Sequence, residues 1–216
     1  MGKLTETKQK LLETATRLIW QSNYDRVGVA EICKQAGVTK GTFYHYFETK
    51  ADLFYEASMA YWREIQEELD DLFSPRYEPH EQLELLLQMI TERDEEMSDL
   101  TDNPVPACPF FTSGAMAGVG EDKVRQAGME MADNAVKYNI ALIRNLKATG
   151  ALVGDPDVAQ LARLFHQYIH GLITYGRVYA SMEAIERDLR QGVYRLLGLK
   201  EEYWATPKET TEATTA

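Results

Sequence analysis

The chain has 216 residues, 44% of them hydrophobic and 26% charged, a balance typical of a folded globular protein. Its net charge is −11, and its two cysteines, Cys33 and Cys108, lie far apart, which argues against a disulfide scaffold and favours a reducing compartment. No apolar run reaches the roughly 18 residues of a membrane span, and the first residues lack the apolar core of a signal peptide. We therefore expect a cytoplasmic protein.

The charge is unevenly distributed along the chain. Residues 1–55 contain eight Lys or Arg and six Asp or Glu, a net charge of +2, so the remaining residues carry −13. A polyanion such as nucleic acid would be tolerated by the first quarter of the chain and repelled by the rest.

Apolar residues recur at helical spacing along most of the chain, and no segment alternates as a strand would. The pattern predicts helices at about residues 8–22, 29–35, 40–46, 50–74, 79–100, 121–149, 156–180 and 183–197, with a short helix opening at Pro109. The predicted fold class is all-α.

Several helix ends carry recognisable capping residues. Thr39 is a good N-cap, and Thr49 with Asp52 resembles a capping box. Gly150 favours the position that follows a helix. Asp155–Pro156 resembles an N-cap followed by the first helical residue.

The chain divides into three predicted parts. Residues 1–50 contain the first three predicted helices, and residues 51–204 contain the larger helical part that follows. The tail, residues 205–216, has almost nothing to bury and is expected to be disordered.

Residues 36–50 read AGVTKGTFYHYFETK and join two short predicted helices through a glycine, the pattern of a helix-turn-helix. The second helix opens with small polar residues, so its backbone N–H groups and side chains suit the major groove and its phosphates. Phe43 and Phe47 are expected to face the core. The residues predicted to contact DNA, through backbone or side chain, are Gly28, Val29, Thr39, Lys40, Gly41, Thr42, Tyr44, His45 and Lys50. The alternative is that these polar side chains are only solvated.

The same segment resembles the TetR family of bacterial regulators, whose pattern A-G-V-[ST]-x-G-x-[LF]-Y-x-[HY]-F-x-x-K is matched throughout. The resemblance covers roughly residues 8–56 and implies an all-α homodimer. It also implies a helix-turn-helix DNA-binding domain in residues 1–50 and a divergent effector-binding and dimerisation domain in residues 51–204. The chain departs from the family at Asn23, where glycine is usual, and at Val27–Gly28, which replace Thr followed by Thr or Ser. Gly28 is a weaker N-cap than Ser by a few tenths of a kcal/mol and lacks a hydroxyl, so DNA contact there must use backbone N–H groups.

The segment VPACPFFTSGAMAG places Cys108 directly before Pro109, a residue that favours the first position of a helix. A thiolate beside that helix start would be stabilised by the helix dipole. The segment is similar to the G-C-L-x-x-x-L-x-x-E region of a TetR branch that includes electrophile-, aldehyde- and acrylate-responsive repressors, which implies a sensor role for Cys108. Pro109 in place of leucine and Met116 in place of an acidic residue depart from that pattern. An unreactive thiol lining a pocket and a core cysteine are the alternatives, and Cys33 is expected only to pack.

Residues of the C-terminal part are candidates for an effector cavity, although most such residues are simply core. The predicted pocket or sensor residues are Cys108, Phe111, Met89, Tyr138, Phe165, His166, Tyr175 and Arg177. Arg177 is included because its helix is expected to pass near Cys108, where a cation would stabilise a thiolate.

Neither a metal nor a cofactor is expected. His166 and His170 stand four residues apart, a spacing that can bind a metal, but no third ligand is evident. No nucleophile–base pair, phosphate loop or carboxylate constellation stands out, so we do not expect an enzyme.

The last two helices, about residues 157–198, are predicted to form a homodimer seam, since a two-fold dimer can contact two half-sites of a palindrome. The alternative is that their apolar faces cover only their own core. The sequence thus predicts a homodimeric repressor that binds double-stranded operator DNA and is released by a small-molecule or electrophilic effector. A helical ligand-binding or protein-interaction module that has lost operator binding is the competing hypothesis.

Overall fold

The structure, a computed structural model, describes residues 2–98, 104–105 and 107–205, with the side chains of 2–5 and 93–98 excepted. In order, its helices are α1 (Gly2–Ser22), α2 (Val29–Ala36), α3 (Lys40–Tyr46), α4 (Lys50–Leu72), α5 (Pro79–Ser98), α6 (Pro109–Met116), α7 (Asp122–Ala148), α8 (Val158–Tyr179) and α9 (Met182–Leu197), followed by a 3-10 turn (Glu201–Tyr203). Across the described residues, β-structure is limited to one isolated bridge between Leu152 and Leu199. The predicted all-α class is confirmed. The end of the predicted helix at residues 99–100 and the tail beyond residue 205 lie outside the described residues.

The capping residues hold these helices as the sequence indicates. The Thr39 hydroxyl accepts the Thr42 N–H at 3.1 Å at the start of α3. At the start of α4, the Thr49 hydroxyl accepts the Asp52 N–H at 3.1 Å while the Asp52 carboxylate accepts the Thr49 N–H at 2.8 Å, which completes the capping box. Gly150 follows the end of α7 with φ +75°, a left-handed conformation that glycine adopts without strain.

The start of α8 differs from the prediction by two residues. Its N-cap is Asp157, whose carboxylate accepts the Gln160 N–H at 3.0 Å. Asp155, the predicted cap, instead pairs with the ammonium of Lys147 at 2.5 Å, and the Pro156 carbonyl accepts a hydrogen bond from the same ammonium at 2.9 Å. A tertiary contact with the end of α7 therefore holds this pair outside the helix.

A single hydrophobic core extends from the N-terminal helices into the larger C-terminal part. Helix α4 packs on α1 at one end and on α7 along its length, while α7 also packs on α6 and α8, and α8 on α9. The ring of Phe54 on α4 lies 4.8 Å from that of Tyr24 and 5.3 Å from that of Phe110 on α6. These aromatic contacts join the helix-turn-helix to the rest of the molecule.

Two polar contacts reinforce the same joint. The ammonium of Lys123 on α7 pairs with the carboxylate of Asp52 in the first turn of α4, and the Tyr55 hydroxyl donates to Glu130 at 2.7 Å. The start of α4 is thus attached to both α6 and α7. Among the described helices, none combines the length and apolarity needed to cross a bilayer.

Candidate nucleic-acid interface and effector cavity

Helices α2 and α3 form the predicted helix-turn-helix. Gly37 connects them with φ +65°, and its N–H donates to the carbonyl of Lys34 at 3.2 Å. Three side chains of this motif are buried, each with 2% exposure or less: Ile32 on α2, Phe43 on α3 and Phe47 at the end of α3. The core face predicted for the two phenylalanines is confirmed, so the opposite face of α3 is turned to solvent.

The solvent face of α3 carries most of the residues predicted to meet DNA. Thr39, Lys40, Gly41, Tyr44 and His45 are exposed, with Tyr44 at 56%. The hydroxyl of half-buried Thr42 lies 2.9 Å from that of Thr39, so both hydroxyls are held at the tip of the helix. This arrangement presents small hydroxyls, one cation and two aromatic donors on one exposed surface, which is the chemistry that phosphates and base edges require.

The beginning of α2 lies in an open position. Gly28 is its N-cap, with φ −94° and no side chain to close the first turn, and Val29 is half-buried behind it. A Cβ at Gly28 would meet no atom within 4 Å. The first backbone N–H groups of a helix have no partner within it, so this end offers backbone donors to an anion.

Lys50, which is also predicted to contact DNA, makes contacts within the chain. Its ammonium donates to the carbonyl of Tyr24 at 2.9 Å and lies 3.8 Å from the centre of the Tyr24 ring. Burial lowers the pKa of Lys50, although the nearby carboxylates of Asp25 and Glu121 act in the opposite direction. The structure therefore gives Lys50 a tertiary role at the joint between α1, α2 and α4.

A cavity of about 310 Å³ lies among α1, α4, α5, α6, α7 and α8. Five of the eight predicted pocket residues line it, namely Met89, Cys108, Phe111, Phe165 and His166. The described residues of its wall include no Asp, Glu, Lys or Arg. Such a space is at the small end of the range of about 300–1,000 Å³ for ligand pockets.

The other three predicted pocket residues lie elsewhere. Tyr138 donates to Asp70, and burial together with this carboxylate raises the pKa of its phenol to about 12. Tyr175 is 51% exposed on α8. Arg177 donates to the carbonyl of Val105 at 2.6 Å, so its guanidinium supports the segment that leads into α6 and does not face the cavity. Helical spacing could not distinguish these three positions from cavity positions, because the surroundings of each side chain depend on how its helix packs in the tertiary structure.

Cys108 is the N-cap of α6, as the sequence predicted, and Pro109 is the first residue of the helix. The thiol is half-buried and lines the cavity. The Cys108 carbonyl accepts both the N–H of Thr112 at 3.0 Å and its hydroxyl at 2.9 Å. Cys33, by contrast, is buried in the core of the helix-turn-helix, as expected.

His166 and His170 are the main polar groups of the cavity wall. Their ring centres lie 4.4 Å apart, and the ring of Phe111 stacks on His170 at 3.9 Å. Burial lowers the pKa of both imidazoles; that of His170 falls to about 4, with the charge of His166 as a second cause. Both rings are therefore neutral near pH 7. No group of three or more His, Cys, Asp or Glu among the described residues could hold a metal.

Several wall residues were not identified from the sequence. Trp20 reaches the cavity from the end of α1, Tyr61 and Trp62 reach it from α4, and Asn139 reaches it from α7. Asn139 is 7% exposed, and a buried amide on an otherwise apolar helix face is the one sequence signal that could have identified it. Trp20 belongs to the first helix of the DNA-binding part, so the cavity touches both halves of the molecule.

Helices α6 and α4 both line the cavity. Its residues Phe111, Thr112 and Ala115 line the cavity, while Phe110 packs away from it with its ring 5.3 Å from Phe54 and 5.5 Å from Tyr61. A group bound in the cavity would thus meet α4, the helix that follows the helix-turn-helix, directly at Tyr61 and Trp62 and also through α6.

An exposed helix-turn-helix followed by a larger helical domain is the arrangement of a DNA-binding transcriptional regulator. Residues 11–57 match the sequence profile of the bacterial regulatory proteins of the tetR family. The transcriptional regulator AcuR of Cereibacter sphaeroides is 30% identical over 158 residues, which cover 73% of this chain and 70% of that protein. The chain belongs to the TetR family.

Solved structures agree with this membership. The regulatory protein TetR from Rhodobacter sphaeroides superposes with a TM-score of 0.72 at 27% identity, covering 88% of this chain and 96% of that chain. The reduced form of NemR from E. coli gives a TM-score of 0.74 over 88% of this chain and 97% of that chain; at 19% identity this similarity concerns the fold alone.

Proposed function

We propose that this TetR-family protein is a homodimeric repressor that leaves a palindromic operator when an effector occupies the cavity. The observation that carries the proposal is the position of α6. One face of α6 lines the cavity through Phe111 and Thr112, and Phe110 on the other side contacts Phe54 of α4. A ligand that displaces α6 would therefore act on α4 and on the helix-turn-helix attached to it.

The mechanism is a population shift between two orientations of the DNA-binding parts. The aromatic contacts continue from Phe110 through Phe54 to Tyr24, at ring separations of 5.3 and 4.8 Å, and end at the base of the helix-turn-helix. An effector that favours the non-binding state by about 3 kcal/mol would lower operator affinity roughly a hundredfold. In this proposal residues 1–50 bind DNA and residues 51–204 bind the effector and the second protomer.

The DNA contacts are assigned to the tip of α3 and the start of α2. Thr39 and the backbone of Gly28 and Val29 would meet phosphates, while Lys40 and Thr42 reach base edges. Tyr44 and His45 would flank the groove with further donors. Gly41, with no side chain, lets the backbone approach closely. These roles are supported by the exposure of all but Thr42 and Val29, which are half-buried.

The dimer seam is assigned mainly to α8. Its exposed apolar residues Leu164, Tyr175 and Val178 lie on one helical face, with exposures of 41%, 51% and 77%. The apolar residues of α9, by contrast, are buried or half-buried within the chain, and its exposed positions are polar, such as Glu186 and Arg187. Helix α9 would therefore contribute a polar margin to a seam whose apolar centre is α8.

Modification of Cys108 is a second route to the same release. The thiol lies at the N-terminus of α6 and on the cavity wall, so an electrophile attached there would displace the helix that contacts α4. The proposal places the chain in the cysteine-containing branch of the family. Alkylation of Cys108 at neutral pH no faster than that of a free thiol would argue against this sensor role.

Operator binding is tested by gel shift with the intergenic DNA upstream of the protein's own gene, at about 50 and 200 mM salt. We expect binding that falls steeply with salt. Tyr44→Phe removes one phosphate donor and should weaken binding about fivefold, because a charge-assisted hydrogen bond is lost, while the remote control Tyr203→Phe should not. A protein that ignores this duplex at low salt would instead be a ligand-binding or protein-interaction module without operator binding.

A further inference from the structure

The first helix of the DNA-binding part supplies one of the residues that line the cavity. Trp20, in the last turn of α1, lines it together with Tyr61 and Trp62 of α4. The Trp20 side chain is 7% exposed, and its ring meets that of Tyr61 edge to face with the ring centres 5.7 Å apart. Helix α1 packs on both α2 and α4. A molecule that contacts Trp20 in the cavity would therefore touch a helix that directly supports the helix-turn-helix.

The end of α1 is held by a tight turn. Asn23 follows the helix with φ +98°, and its N–H donates to the carbonyl of Ile19 at 2.9 Å. Tyr24 comes next and is buried, with its ring centre 4.8 Å from that of Phe54 on α4. Trp20 and Tyr24 are thus four residues apart on either side of a hydrogen-bonded turn. A displacement of the Trp20 ring would be passed to the contact between Tyr24 and α4.

Tyr61 connects the Trp20 ring to a third helix. Its ring lies 5.5 Å from that of Phe110 on α6, so the three rings join α1, α4 and α6 beside the cavity. Protein interiors are packed so closely that pressure on one ring displaces its neighbours. Edge-to-face aromatic contacts also prefer particular orientations, so a displaced ring loses part of its contact energy. The relative position of α1 and α4 therefore depends on what lies against Trp20.

We propose that Trp20 is a contact residue for the effector and that effector binding acts directly on α1, in addition to the contact between α6 and α4. This inference rests on the proposed function, because it adds a residue through which occupation of the cavity lowers operator affinity. Coupling of this kind is reciprocal, so operator binding lowers the affinity of the cavity for the effector by the same factor. Removal of the Trp20 contact reduces both effects.

A fluorescent group attached to Cys108 tests the contact without knowledge of the effector. Monobromobimane forms a thioether with the thiolate and releases bromide, and bimane fluorescence is quenched when an indole lies against it. Cys108 lines the same cavity and stands two residues before Phe110, whose ring contacts that of Tyr61. A Cys108→Ser protein, which retains the buried Cys33, measures labelling elsewhere.

The three tryptophans of the chain are Trp20, Trp62 and Trp204, and changes to phenylalanine distinguish their contributions. Trp20→Phe should relieve part of the quenching, because phenylalanine does not quench bimane. Trp204→Phe is the matched control, since its ring packs on Tyr194, and it should leave the fluorescence unchanged.

A double variant, Trp62→Phe with Trp204→Phe, retains Trp20 as the only tryptophan and should still show quenching. Bimane that is unquenched in this double variant would overturn the contact. The double variant also decides the matter if Trp20→Phe does not fold.

The coupling is measured as the ratio of operator affinities of unlabelled and bimane-labelled protein, by gel shift with the intergenic DNA upstream of the protein's own gene. This ratio cancels any effect that a substitution has on DNA binding by itself. We expect a ratio of about a hundred for the unmodified protein and for Trp204→Phe, and of about ten or less for Trp20→Phe. An undiminished ratio for Trp20→Phe would overturn the direct action on α1 and leave the proposed repressor mechanism standing.

Failure of the proposed function would look different. A ratio near one in the unmodified protein, or no binding of the duplex at all, would overturn the coupling together with the proposed repressor mechanism. The fluorescence measurements need no DNA, so they would still decide whether Trp20 contacts a molecule held in the cavity.

Discussion

Two glycines allow α6 and α7 to touch backbone to backbone, and replacing one of them tests how tightly α6 is held. A Cβ built on Gly114 of α6 would lie 2.8 Å from the Cα of Gly128 and 3.1 Å from the carbonyl oxygen of Val124, both on α7. Real Cβ atoms do not approach other carbons so closely. Because the obstacle is backbone and not a flexible side chain, Gly114→Ala must separate the two helices.

The expected magnitude follows from two opposed effects. Overpacking of this kind costs about 1–3 kcal/mol, and contact with backbone favours the upper half of that range. Alanine in a helix returns up to about 1 kcal/mol relative to glycine. We therefore expect Gly114→Ala to lower the free energy of unfolding by about 1–2 kcal/mol, or the melting temperature by roughly 2–8 °C for a chain of this size.

The measurement is urea unfolding followed by circular dichroism, at one protein concentration. Gly171→Ala on α8 is the matched control, since a Cβ there would meet no atom within 4 Å of the chain. It should raise stability by up to about 1 kcal/mol through helix propensity alone. Because Gly171 lies on the proposed dimer face, the oligomeric state of the control is measured in parallel. If Gly114→Ala is as stable as the unmodified protein, α6 can move away from α7 without cost and the tight packing inferred above is wrong.

Three further groups of substitutions test the assignments made above. Lys40→Met should weaken operator binding and reduce the slope of log affinity against log salt by about 1, whereas Lys50→Met should leave that slope unchanged. The latter variant should instead unfold more easily by about 1–2 kcal/mol, because it loses a charged hydrogen bond to a backbone carbonyl. For His170 the folded pKa of about 4 lies below the ordinary 6.5, so the unfolded chain binds more protons and stability is lost as the pH falls below 6.5. His170→Phe should remove about 1 kcal/mol of the loss between pH 7 and pH 5.5 in urea unfolding. Val178→Lys on α8 should yield monomers in sedimentation velocity, while Glu186→Lys on α9 should remain dimeric.

Each of these expectations has a contrary result. A reduced salt slope for Lys50→Met would return that side chain to the phosphate contacts first predicted for it. An unchanged pH dependence for His170→Phe would mean that the imidazole is not buried in the folded protein. Dimers of Val178→Lys would remove α8 from the centre of the seam.

The features that could be predicted from the sequence are those that neighbouring residues produce among themselves. The Thr39 cap, the capping box of Thr49 and Asp52, and the left-handed Gly37 all involve groups within a few positions of one another, and each is present as predicted. The position of Cys108 before Pro109 at the start of α6 is of the same kind. Helical spacing likewise indicated the buried face of Phe43.

Other features depended on residues distant in the sequence. Asp155 pairs with Lys147 of α7, and Asp157 takes the N-cap position of α8. Tyr138 and Arg177 were predicted as pocket residues from their residue types. Tyr138 instead donates a hydrogen bond to Asp70 and Arg177 donates one to the carbonyl of Val105, both outside the cavity. A residue type indicates which contacts are possible, but only the packing selects among them.

From its sequence alone, this protein could be assigned an all-α fold, a helix-turn-helix and the solvent-exposed face of α3, since hydrogen bonds and side-chain periodicity within short segments dictate them. The position of Lys50 over Tyr24, the proximity of Trp20 to the cavity and the two-sided placement of α6 arise only when six helices meet. The physical reason is that the burial of a side chain results from the packing of several helices against one another. Burial in turn determines the pKa of the side chain and its hydrogen-bond partners, so no single helix specifies them.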